Sequence, residues 1–226
     1  FRSIAEMKKN IDECNILMIS GGFSAGDEPD GSGKFIANVL NNKDIADSIH
    51  ALLDRGGLIL GICNGFQALI KSGLLPYGRL GQVTKDSPTL FRNDINRHIS
   101  QIVTTRVGTA NSPWLSGFAV GDLHTIAVSH GEGKFVVNED LAKELFANGQ
   151  VAFQYVDPLE EEPTMESPYN PNGSYYAIEG IISRNGQILG KMGHTERYEG
   201  NLFKNIIDEG LEQPLFDNAV AYFRGE

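Results

Sequence analysis

Leu58-Ile59-Leu60-Gly61-Ile62-Cys63-Asn64-Gly65-Phe66-Gln67 is the stretch that decides the fold. A short apolar run enters it, and a helical pattern (Phe66, Leu69, Ile70) leaves it. A residue on so sharp a strand-to-helix turn is forced into strained backbone geometry, and glycines two positions before and after remove side chains that would collide there. The same logic underlies the G-x-S-x-G nucleophile elbow, here with sulfur in place of oxygen. Cys63 would project its Sγ above the sheet at a helix N-terminus, where free N–H groups and the helix dipole favour a thiolate. The Asn64 amide would face an oxyanion formed beside that sulfur. Taken alone, a G-x-C-x-G serves equally well as a plain turn.

Working outward, Asn15 to Ser20 reads as a buried strand ending in the glycine turn Gly21-Gly22-Phe23-Ser24. Ahead of it lies an amphipathic helix (Ile4, Met7, Ile11). Gly33 to Leu40 and Asp44 to Arg55 read as helices, the second with Ile45, Ile49, Leu52 and Leu53 on one face. Alternation of strand and helix argues for a flavodoxin-like α/β fold, an open and mostly parallel sheet with helices on both faces. After Gly73 the texture changes. Gln101 to Val107 is β-branched and suits an antiparallel ribbon; His124 to Ser129 and Lys134 to Val137 are strand-like. Asp140 to Ala147 reads as a short helix and Val151 to Tyr155 as a strand, followed by a long polar loop from Asp157 to Gly173. Ala177 to Ser183 and Gln187 to Met192 flank Asn185-Gly186, a hairpin signal.

Composition narrows the function classes. The 226 residues suit one α/β domain with elaborations, and hydrophobic and charged contents of 41% and 21% are ordinary for a globular chain. A formal charge of −10 without a basic cluster makes nucleic acid and anionic membranes poor partners. No apolar stretch reaches the roughly 20 residues that span a bilayer. Two cysteines, Cys14 and Cys63, form no disulfide framework, which fits a reducing, cytoplasmic location. Cys14 reads as a buried small hydrophobe. The absence of a leading strand is the mark expected of a piece cut from a longer chain.

A nucleophilic cysteine needs a base, and the base needs an orienting group. His194 follows an apolar strand, and Glu196 two residues on faces the same way in an extended segment. That carboxylate would fix the imidazole tautomer and stabilise the imidazolium; the alternative is a solvated turn histidine near a surface glutamate. His130, between Ser129 and Gly131-Glu132-Gly133, suggests a backbone that approaches a ligand closely. His50 and His98 read as surface residues and His124 as a packed strand residue. The Gly21-Gly22 turn can supply a second oxyanion donor. Gly31-Ser32-Gly33-Lys34 is not a phosphate loop, because Glu28 stands where the first glycine belongs and Phe35 where Ser/Thr should be. No Cys/His group has metal-site spacing.

Five segments together resemble class I (triad-type) glutamine amidotransferases, most of all the branch forming the glutaminase part of phosphoribosylformylglycinamidine synthase. They are Gly21-Gly22-Phe23-Ser24 with Gly26-Asp27, Gly61-Ile62-Cys63-Asn64-Gly65-Phe66-Gln67, Ser129-His130-Gly131-Glu132-Gly133, Asn170-Pro171-Asn172-Gly173-Ser174 and Gly193-His194-Thr195-Glu196-Arg197. The resemblance implies one amidotransferase domain over 1–226, a C-terminal fragment of a longer synthase, with an N-terminal strand and helix missing. It implies Cys63, His194 and Glu196 as catalytic, Gly22 and Asn64 as oxyanion donors, and Gln67, His130 and Gly131 around the glutamine. Ammonia would pass to a synthase domain or subunit, which would hold the ATP and magnesium; no cofactor is expected in this domain. The loop from Gly26 to Gly33 is closer to the form in single-chain enzymes. Segments 74–98 and 157–173 are candidate partner contacts. Two other readings stay open: another cysteine hydrolase on the same scaffold, and a non-catalytic regulatory subunit.

Overall fold

The computed structural model describes residues 3–22, 32–200, 202–203, 206 and 212–226. In chain order the elements are α1 (Ile4–Glu13), β1 (Ile16–Ile19), α2 (Lys34–Leu40), α3 (Lys43–Asp54), β2 (Leu58–Ile62), α4 (Asn64–Ser72) and α5 (Leu74–Tyr77). They continue with β3 (Thr89–Arg92), β4 (Ile99–Val107), β5 (Leu123–His130), β6 (Glu132–Val136), α6 (Glu139–Ala147), β7 (Val151–Tyr155), β8 (Ile178–Ile182), β9 (Ile188–Lys191) and α7 (Leu215–Arg224). The helices start where side chains can satisfy their free N–H groups. Ser3 accepts from the Glu6 N–H, Asn42 from Asp44 and Asn138 from Leu141.

Among the described residues seven strands form one sheet in the order β1-β2-β9-β8-β7-β4-β5, and β3 and β6 form a separate antiparallel pair. Every residue of β2 is buried, so both faces of the sheet are covered at that strand. Ile62 pairs with Lys191 and Gly61 with Gly190 across the parallel β2–β9 ladder. That glycine pair lets α4 lie close on the sheet. A Cβ at Gly61 would sit 2.5 Å from Leu69 Cδ1, and one at Gly190 would sit 2.2 Å from Phe66 Cδ2. Phe66 also stacks on Phe135 of β6 at 6.4 Å, which ties the small ribbon to the elbow helix. The register has a direct consequence for chemistry. Cys63 follows Ile62 immediately and its N–H donates to the Lys191 carbonyl, while His194 lies three residues beyond Lys191. Two distant pieces of sequence therefore leave the sheet side by side.

The α/β architecture, the elbow strand, the β4–β5 ribbon and the β8–β9 hairpin stand where the sequence predicts them. Parallel pairing joins β1, β2 and β9, and antiparallel pairing runs from β9 through β8, β7 and β4 to β5. The antiparallel half thus extends beyond the ribbon and hairpin, because β7 inserts between them. Three elements carry no prior reading: β3, α5 and α7. Cys14 is partly buried, with Sγ donating to the Ile11 carbonyl at 3.5 Å, so it packs less deeply than expected. His50 is likewise half-buried: its Nε2 accepts the Leu80 N–H at 3.3 Å, which corrects its reading as a surface residue. His98 is exposed, and His124 is buried edge-on against Phe118. The Phe23-Ser24 and Gly26-Asp27 parts of the first glycine turn lie outside the described residues.

Candidate active site

Cys63 caps α4 with φ 53° and ψ −106°, backbone angles that only a tightly constrained non-glycine residue holds. The constraint is visible in its neighbours. A Cβ on Gly65 would lie 1.9 Å from the Ile19 carbonyl oxygen, so only glycine lets α4 start against the end of β1. The thiol is buried, with Sγ 3.5 Å from the Ser129 carbonyl oxygen. Burial pushes the Cys63 thiol up to about 11; the backbone N–H groups of Asn64 and Gly22 and the Arg197 charge pull the other way, while Glu196 adds to the rise. Two amides, one from each glycine-flanked turn, therefore face the sulfur. This is the arrangement a tetrahedral oxyanion requires.

His194 sits at the end of the β9 extension, its N–H anchored on the Ala127 carbonyl of β5 at 2.8 Å. Its Nδ1 is 2.6 Å from Glu196 Oε1, and its buried Nε2 has no hydrogen-bond partner among the described residues. The carboxylate is placed to accept a proton on Nδ1, the tautomer that in the neutral ring leaves Nε2 as the acceptor. The space this ring shares with the thiol is defined by Gly21. A Cβ there would lie 2.8 Å from His194 Cε1 and 3.2 Å from Cys63 Cβ, so ring and thiol-bearing carbon flank one point. Burial raises the Glu196 carboxyl, but the hydrogen bond and charge of His194, its own backbone and Lys191 outweigh that and hold it below the usual glutamate value. Cys63, His194, Glu196 and the Gly22 and Asn64 amides thus come together.

Gln67, on the first turn of α4, donates from Nε2 to the Glu132 carbonyl at 2.6 Å and leaves Oε1 buried without a partner among the described residues. It joins the elbow to the Ser129–Gly133 segment. The His130 ring faces away from a ligand role. It is buried against Gly133, with Nδ1 3.2 Å from Asn93 Oδ1 and Nε2 3.5 Å from Asn172 Nδ2. Those partners fit the neutral tautomer, Nδ1 donating and Nε2 accepting. Burial, with the charges of His98 and His194, pushes the imidazole down to about 3. Gly131 is held through its carbonyl, which accepts the Asn93 N–H at 3.0 Å.

A buried polar network surrounds that ring. Asn93 Nδ2 donates to the His130 carbonyl at 2.8 Å and its Oδ1 accepts the Gly133 N–H at 3.1 Å. Asn172 Nδ2 reaches the Gly133 carbonyl at 2.9 Å and the Tyr155 hydroxyl at 3.0 Å, and Ser174 Oγ donates to Asn172 Oδ1 at 2.7 Å. The Asn170–Ser174 segment therefore buttresses the Ser129–Gly133 turn. Asn93 and Tyr155 have no motif around them that marks them beforehand. Lys191 and Glu179 belong to the same region, and each is a lone charge in an otherwise apolar strand, the sequence signal of a buried pair. Among the described residues no group of three or more His, Cys, Asp or Glu side chains could hold a metal ion.

The model of the CobB/CobQ-like glutamine amidotransferase domain matches residues 1–223. Phosphoribosylformylglycinamidine synthase subunit PurQ of Gloeobacter violaceus is 33% identical over 220 residues, covering 97% of this chain and 87% of that protein. The subunit of the same name from Methanococcus maripaludis is 36% identical over 234 residues, covering 96% of this chain and 84% of its own length. Among solved structures, PurLQS from Thermotoga maritima superposes with a TM-score of 0.67 at 27% identity, over 94% of this chain and 81% of that one.

Proposed function

Because the chain belongs to the family of CobB/CobQ-like glutamine amidotransferase domains, we infer that it hydrolyses glutamine to glutamate and ammonia. The ammonia goes to an ATP-dependent synthase that makes formylglycinamidine ribonucleotide in purine biosynthesis. The relatives named for that synthase support this destination. Residues 1–226 act as one amidotransferase domain, working with a synthase region on a longer polypeptide or on a partner subunit. ATP and magnesium belong to that synthase region, and the setting is the cytoplasm. No helix among the described residues is long and apolar enough to cross a membrane.

The geometry supports the following roles. Cys63 Sγ attacks the side-chain amide carbon of glutamine as His194 Nε2 takes the thiol proton. Burial pushes the thiol up, which favours proton transfer to His194 as the sulfur attacks. The Gly22 and Asn64 N–H groups receive the developing oxyanion, and each such donor typically contributes ~3 kcal/mol. His194 then protonates the departing nitrogen, which leaves as ammonia with the thioester formed. Water, deprotonated by the same imidazole, hydrolyses the thioester and restores the thiol. Glu196 keeps Nδ1 protonated and the ring fixed throughout. Gln67 and the His130-Gly131 backbone line the glutamine pocket, with the His130 ring acting from behind as a wedge for that turn.

The observation that carries this reading is the His194 ring, whose Cε1 flanks the same point at Gly21 as Cys63 Cβ, with Nδ1 held by a carboxylate and a buried Nε2 that has no partner among the described residues. The test is glutamate release from glutamine by the intact synthase, compared with the Cys63→Ala form. Loss of release with retained ammonia-dependent synthesis supports the assignment; undiminished release in Cys63→Ala contradicts it. A regulatory subunit without catalysis would release no glutamate in either form.

A further inference from the structure

The hairpin β8–β9 buries two opposite charges that the hydrolysis steps above do not use. Lys191 and Glu179 are both fully inaccessible, with Nζ 3.8 Å from Glu179 Oε1. An ammonium has three protons to place, and the surroundings take all three. Lys191 Nζ donates to the Gly193 carbonyl at 3.1 Å, Thr195 Oγ1 at 3.1 Å and Gln213 Oε1 at 2.9 Å. Glu179 Oε1 in turn accepts the Gly193 N–H. Thr195 closes the ring by donating its hydroxyl to Gln213 Oε1 at 2.7 Å. Every one of these bonds ends on a residue adjoining His194 or on Gln213, just before α7.

We propose that Lys191 and Glu179 are positioning residues that grip the main chain on both sides of His194 and so set where its imidazole points. This rests on the glutaminase reading and adds to it the means by which the base is held. His194 lies outside any long element, with φ −92° and ψ 79°; β5 holds its N–H through the Ala127 carbonyl, and the flanking residues 193 and 195 are held by the buried pair. Gly193 has to be glycine for the carboxylate to come so near, since a Cβ there would lie 2.9 Å from Glu179 Oε1. Net stability is a weak reason for such a pair, because apolar residues of similar volume commonly replace one without loss. Directional bonds at residues 193 and 195 are what an apolar pair would not supply. Burial depresses the Lys191 ammonium, while Glu179 and Glu196 favour its charged form.

The experiment uses the intact synthase carrying Lys191→Met, the double variant Lys191→Met/Glu179→Gln, and Thr195→Val as the mildest change. Sites are counted by labelling to completion with a glutamine-shaped chloroketone, and glutamine kcat per labelled site and KM are measured. The expected result is a kcat per site at least tenfold lower in the double variant, with KM changed less than threefold and label still at Cys63; Thr195→Val should fall part of the way. A structural role alone would reduce the number of sites and leave turnover per site at the wild-type value, which would overturn the proposal. If Lys191→Met does not fold, Thr195→Val decides: wild-type turnover per site overturns it. A wild-type enzyme that takes no label would instead overturn the glutaminase reading.

Discussion

His194 Nδ1 lies 2.6 Å from Glu196 Oε1, a charge-assisted contact between residues two apart whose side-chain exposures are 1% and 28%. The base is therefore sealed in, while its orienting acid still touches solvent. Glu196→Gln keeps a hydrogen-bonding group at that place and removes the charge. Charge-assisted bonds contribute about 1.5–3 kcal/mol, so kcat should fall by about 10- to 100-fold. Cys63→Ala should cost far more, because it removes the nucleophile. Steady-state kinetics on both variants check the order; equal losses would remove Glu196 from its supporting role.

Gly21 is the hinge between ring and thiol. A methyl group there would meet His194 Cε1 at 2.8 Å and Cys63 Cβ at 3.2 Å. Gly21→Ala should leave the melting temperature within a few degrees of wild type and lower kcat by about 100-fold, the usual consequence of a small displacement of reacting groups. Gly65→Ala should behave in the opposite way. Its methyl would fall 1.9 Å from the Ile19 carbonyl oxygen, main chain that cannot rotate aside, so unfolding stability should drop by about 3 kcal/mol or more. Denaturant titration and kinetics on the pair separate the two effects.

Asn93 satisfies four groups at once: the His130 Nδ1 and carbonyl, the Gly133 N–H and the Arg97 carbonyl. Asn93→Ala should destabilise the protein by about 2–3 kcal/mol, because buried donors and acceptors lose their partners. It should also raise KM for glutamine by loosening the Gly131 turn, with a smaller effect on kcat. Urea unfolding and a KM measurement test both parts; unchanged KM would place the turn outside the substrate pocket.

Two buried histidines make stability fall on mild acidification. Burial lowers His130 to about 3 and His124 to about 4, the latter opposed by Asp122 and assisted by Lys191. An unfolded histidine binds its proton near pH 6.5, so below that pH the unfolded chain holds more protons and stability decreases. Between pH 7 and pH 5 each residue should cost about 2 kcal/mol. Urea midpoints at the two pH values measure the drop, and His130→Gln should remove roughly half of it. Glu196 acts in the same direction at lower pH: its depressed carboxyl contributes stability until the pH falls below the ordinary glutamate value of 4.5.

Much of the site was legible because its parts are local. The strand, elbow and helix around Cys63 are encoded within ten residues, and His194 and Glu196 carry their own spacing. The non-local supports were not. Asn93 lies between β3 and β4, and only the folded sheet brings it to His130; no periodicity predicts a partner across 37 positions. The glycines around His130 point to a backbone that approaches a ligand; they do not reveal that Gly133 also makes room for the imidazole. Lys191 and Glu179 are each a lone charge in an apolar strand, but β9 pairs Lys191 with Gly180, and only the folded side chains bring Nζ to 3.8 Å from Glu179 Oε1. α7 escaped since its buried face is small, Leu215, Asn218 and Ala219, leaving Phe216 and Val220 exposed and the periodicity blurred.

The central claim is that one thiol, Cys63, is the nucleophile for a glutamine side chain. Peptide mapping by mass spectrometry after treating the intact synthase with a glutamine-shaped chloroketone tests it most directly. The account predicts one adduct per chain, on the peptide carrying Cys63, prevented by excess glutamine and absent in Cys63→Ala. An adduct on Cys14, or none at Cys63 while glutamate is still being released, would contradict it.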